Sequence, residues 1–75
     1  MINKSDWETE AANLLKSELI RRNMNYDKLR LALEKQGIQK TTNNISVTIN
    51  RGKFSFVFFL QCARALGIKN VQITE

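Results

Sequence analysis

"SVTINRGKFS", residues 46–55, decides how this chain folds. Ile45, Val47 and Ile49 alternate with polar residues, the period of a half-buried strand. Ile45 and Ile49 are also four apart, as on one face of a helix that ends at Arg51 and Gly52. Thr and Asn are weak helix formers, so local propensity leans toward the strand. The neighbours reverse that preference. A strand needs a partner, and the other strand-like piece is "VQIT", residues 71–74. Two short strands make a poor sheet. Residues 42–50 are therefore read as a helix. Ile45 and Ile49 then face the core, while Val47, about 200° round from Ile45 at about 100° per residue, faces outward. Asn43, Asn50 and Arg51 share the outward side, with Asn44 and Ser46 on its edges.

The flanking segments also read as helices. Gly37, Gly52 and Gly67 cut the chain at intervals of 15 residues, as helix ends would. The first helix is expected from Ser5, where Ser5 and Glu8 have capping-box spacing. Trp7, Ala11, Leu14, Leu15, Leu19 and Ile20 make its apolar face, with Trp7 expected as an anchor packed on the domain. The second helix opens at Asn25, a good N-cap residue, with Met24 and Leu29 spaced as a hydrophobic staple. From about residue 55 to 66 the chain is apolar nearly all round, the pattern of a buried core helix. Cys62 belongs to it as a small buried hydrophobe.

Bulk properties narrow the function. A chain of 75 residues is one domain, 1–75, and one this small is marginal without staples. Cys62 is the lone cysteine and there is no histidine, so no intramolecular disulfide, zinc cluster, metal or cofactor is expected. Asp6, Glu8 and Glu10 make the first ten residues unlike a targeting peptide. The longest apolar run, "FVFFL" at 56–60, is too short to span a bilayer. A cytoplasmic protein with no membrane partner is expected. Without histidine, a phosphate-cradling glycine loop or a convincing carboxylate pair, neither an enzyme nor a small-molecule substrate is expected. The net charge of +5 is uneven. Six bases and six acids cancel in residues 1–34, whereas residues 35–74 hold six bases and no acid. An acid-free stretch suits a surface that meets phosphate.

The order helix, helix, turn, helix, then an Arg-Gly turn into an apolar helix ending "ALGI" resembles the phage repressor/Cro family of helix-turn-helix domains. More closely, the chain resembles a family of small uncharacterised bacterial proteins. The pieces that carry this likeness are Trp7, "LLKSELIRR" at 14–22, Tyr26 to Ile38, and "RGKFSFVFFLQCARALG" at 51–67. The repressor likeness implies an all-α, compact four-to-five-helix domain, with the helix-turn-helix at about 25–51; the strand-like residues 71–74 add a short C-terminal strand to the expectation. There are departures from the repressor pattern. The link from Gly37 to Gly52 is longer, and Tyr26, Arg30 and Asn50 stand where repressors often carry Gln, Ala and an acid.

The resemblance implies a small transcriptional regulator that lays the 42–50 helix in the major groove of double-stranded DNA. Asn43, Asn44, Ser46, Val47 and Asn50 would meet base edges; asparagine can pair with adenine at two points, and valine can meet a thymine methyl. Arg51, Lys53 and the helix start at Ser55 would hold phosphate, with Lys40, Tyr26 and Lys28 as further backbone contacts. Two half-sites would call for a homodimer, through Leu31 or residues 71–74. The alternative is a protein-interaction module on the same scaffold, with Val47 and Leu31 as contact residues and no DNA binding.

Overall fold

The computed structural model describes residues 4–71. They form four helices and no strand: α1 (Lys4–Arg21), α2 (Tyr26–Glu34), α3 (Thr42–Arg51) and α4 (Phe56–Leu66). Among the described residues, no helix is long and apolar enough to cross a membrane. Val71 has no regular structure, and the rest of the strand expected at 71–74 lies outside the described residues.

The decisive stretch is helical because both of its ends are fixed locally. Thr41 is extended, and its hydroxyl accepts a hydrogen bond from the Asn44 N–H at 2.9 Å. Asn43 and Asn44 therefore lie inside the helix rather than capping it. Gly52 closes the other end at φ +74°, with its N–H on the Ile49 carbonyl. The same devices start the neighbours: Asn25 accepts from Lys28 N–H at 2.8 Å, and Ser55 from Phe58 N–H at 3.0 Å. Each such cap stabilises its helix by about 1 kcal/mol.

The core is built from four side-chain pairs at i,i+4 spacing, one per helix. They are Leu15 and Leu19, Leu29 and Leu33, Ile45 and Ile49, and Phe58 and Cys62. Residues four apart share a helix face, so each helix presents two adjacent apolar side chains to one centre. Fully burying a Leu, Ile or Phe contributes about 1.5–3 kcal/mol. Met24 and Leu29 both pack in this core, as the staple reading expects. α1 packs on α3, and α2 packs on α3 and α4.

Three expectations are corrected. α4 is not buried on all sides: Phe56, Val57 and Leu60 are 71%, 64% and 51% exposed. These three lie on the side of α4 turned away from Phe58 and Cys62, the pair that faces the core. On α1, Trp7 is 58% exposed and is not a packed anchor, and Ile20 is 78% exposed, because neither lies within the core stripe of Leu15 and Leu19. α1 is already helical at Lys4, so Ser5 lies within its first turn rather than before it.

One buried charge remains. Glu18 is fully buried and hydrogen-bonds Arg22 Nη1, with Arg21 Nη1 at 3.6 Å. Arg22 Nε in turn donates to the Leu66 carbonyl at 3.2 Å. This chain of contacts ties the end of α1 to the end of α4 and satisfies a carbonyl that the helix terminus leaves free.

Candidate nucleic-acid interface

α3 has two unlike faces. Ile45 and Ile49 are 0% exposed, while Val47 between them is 45% exposed. Asn43, Asn44, Asn50 and Arg51 are exposed on Val47's side, and Ser46 is half-buried at its edge. The structure thus brings five of the expected contact residues, Asn43, Asn44, Val47, Asn50 and Arg51, onto one outward surface.

Two ties hold this helix against α2. At its start, Arg30 Nε donates to Asp27 Oδ1 at 3.1 Å and to Thr42 Oγ1 at 3.2 Å. The Thr42 hydroxyl donates to the same Asp27 oxygen at 3.0 Å. At its end, Asn50 Nδ2 donates to the Tyr26 hydroxyl at 3.1 Å and to the Ser46 carbonyl at 2.8 Å. Arg30, which departs from the repressor pattern, is thus a strut between the two helices.

The Thr42 hydroxyl and then Arg30 hold the Asp27 carboxyl below its ordinary value. A folded value below the unfolded one gives stability that is present above the ordinary carboxylate range and lost as the pH falls through the folded value. Acidification from neutrality is therefore expected to lower the Tm of the wild type more than that of Asp27→Asn, by thermal circular dichroism. Equal losses in both proteins would remove Asp27 as the cause.

The remaining candidates are less uniform. Asn43, Asn44 and Arg51 have side chains with no hydrogen bond or ion pair among the described residues. Asn50, Ser46 and Tyr26 already engage one another. Lys53 Nζ lies 3.7 Å from Glu8 Oε2, so an acid of α1 competes for it. Ser55 spends its hydroxyl on the α4 cap. Lys40 Nζ sits over the Phe58 ring, 5.6 Å from its centroid, and covers the core. Lys28 lies roughly 160° round α2 from Arg30 at about 100° per residue, on the side away from α3.

Sequence reasoning missed the Asp27–Arg30–Thr42 cluster as a positioning element. The Asp27/Arg30 spacing is a readable i,i+3 pair, but Thr42 joins only through the fold. Cys62, by contrast, is 0% exposed and burial pushes its thiol up to about 12, so it stays neutral.

The geometry defines a small all-helical module that turns one polar, uncharged-to-basic helix face to solvent. The chain belongs to the family described as Domain of unknown function (DUF6471), whose model matches residues 7–71. No curated protein and no solved structure matches the chain.

Proposed function

We propose that this chain is a single helix-turn-helix domain of the repressor/Cro type that binds double-stranded DNA, with α3 in the major groove, and acts as a small transcriptional regulator. The observation that carries this reading is Val47. It is half-exposed on a helix whose other branched apolar residues, Ile45 and Ile49, are fully buried. A valine flanked by exposed asparagines on an otherwise polar face suits a surface that meets both base edges and thymine methyls.

The roles divide along the face. Asn43 and Asn44, with unoccupied amides, read bases, and Val47 meets a methyl. Asn50 and Tyr26 set the angle of α3 through their mutual bond, with Ser46 beside them. Arg51 takes a phosphate directly. Lys53 takes one after leaving Glu8, an exchange between two partly exposed partners that costs little. The α4 start near Ser55 adds free N–H groups on the same side of the Arg-Gly turn.

Fluorescence anisotropy on genomic fragments over a salt series tests this. Binding is expected to fall linearly on a log–log plot, and Arg51→Ala with Lys53→Ala to flatten the slope by about one per phosphate contact removed. Asn43→Ala should change sequence preference at one position, worth about 1–3 kcal/mol there. No DNA affinity at low salt sinks the proposal. Uniform loss from Asn43→Ala would show that the reading face is misplaced.

A further inference from the structure

An apolar groove of about 590 Å³ runs between α1 and α4, walled by Leu14, Phe59, Leu60 and Ile68. Contacts near both ends set the two helices running in the same direction. Gly52 abuts the Glu8 backbone near their starts, and Arg22 holds the Leu66 carbonyl at their ends. Trp7 stands two turns before Leu14 on the same stripe of α1. Phe56, Val57 and Leu60 continue the apolar surface across the open side of α4.

The charges on this face are sorted by position. Asp6, Glu8 and Glu10 outnumber Lys53 at the N-terminal end, and Arg21, Arg22, Arg64 and Lys69 outnumber Glu18 at the C-terminal end. The dipoles of α1 and α4 point the same way, which places a positive helix end among the acids and a negative one among the bases.

We infer that this face docks a second copy of the chain in an antiparallel, two-fold arrangement. A two-fold axis through Leu60 sets the acidic end of each copy on the basic end of the other, so the surface is its own complement. The helix dipoles of the two copies then oppose. The exposed parts of Trp7 and Phe56 amount to roughly 250 Å² per copy, at about 200 Å² for each aromatic side chain. With Val57, Leu60 and the groove walls the face approaches the roughly 600 Å² per partner that a small specific interface needs. The inference needs no DNA contact and stands if DNA binding fails.

Sedimentation equilibrium of the full chain without DNA, over the micromolar range, tests it. The wild type is expected to be a two-chain species, and Leu60→Asp to raise the dissociation constant about thirty-fold or more. Leu31→Asp, on α2, should leave it unchanged. Glu10→Lys and Arg64→Glu should each weaken association, and the double variant should restore it. These two exposed sites test the register even if Leu60→Asp fails to fold. The Trp7 emission should move to shorter wavelength as the two-chain species forms. A monomer throughout overturns the inference, including one that takes up an apolar small molecule in the groove. A dimer broken by Leu31→Asp but not by Leu60→Asp also overturns it, as does a double charge variant weaker than both single ones.

Discussion

Gly52→Ala is expected to lower the Tm by more than about 10 °C, a loss of about 2–5 kcal/mol in a domain of this size. Two causes add. Gly52 has φ +74°, where a Cβ meets the following carbonyl and costs about 1–2 kcal/mol. That Cβ would also lie 2.0 Å from the Glu8 carbonyl oxygen and 2.6 Å from its carbon. The obstacle is helix backbone, so α1 itself must shift rather than a flexible side chain. Gly67 supplies the control. It has nearly the same φ, +73°, but nothing within 4 Å of a Cβ. Gly67→Ala should therefore pay only the conformational part, and urea denaturation of the two variants isolates the contact. Equal losses would mean that α1 does not press on the Arg-Gly turn. The functional effect follows from the place: the turn joins α3 to the start of α4, and Lys53 sits beside it.

Glu18→Ala is expected to cost about 3 kcal/mol, near the low end for breaking a buried ion pair. Arg22 keeps a route to solvent, with 27% of its side chain exposed, and this relieves part of the penalty. What remains is a guanidinium that no longer bridges α1 to the Leu66 carbonyl. Glu18→Gln should cost less, since the amide oxygen still accepts from Arg22. Glu18→Leu combined with Arg22→Met should cost less than Glu18→Ala alone, because removing both charges leaves neither stranded. Chemical denaturation of the cycle measures this coupling. Additive losses would show that the pair contributes nothing beyond its separate contacts.

The core was readable because it rests on local spacing. The pairs 15/19, 29/33, 45/49 and 58/62 can be marked on the printed chain, and Asn25, Ser55 and the glycines bound the helices that carry them. The outward face of α3 follows from the same arithmetic. What was not readable depends on distant neighbours. Whether an all-apolar helix is covered on every side depends on where the other helices pack, so the open side of α4 was missed. The second half of the chain carries no acid before residue 75, yet the fold brings acids of the first half to it, Glu8 against Lys53 and Asp27 against Thr42. The bond from the Asn50 amide nitrogen to Tyr26, far away in sequence, was likewise beyond reach of local spacing.

Cys62 gives the molecule a built-in clock for its own opening. The thiolate is the reactive form, and in the folded chain the group is both covered and kept neutral well past the ordinary thiol range near about 8.5. It is the chain's one sulfhydryl. A thiol reagent at mildly alkaline pH can therefore modify the protein only during excursions that expose the centre of the core. The labelling rate, divided by that of an unfolded peptide, reads the free energy of those excursions directly. Residues on the outer faces can meanwhile be replaced by cysteine and tagged selectively, with the native sulfur left in place.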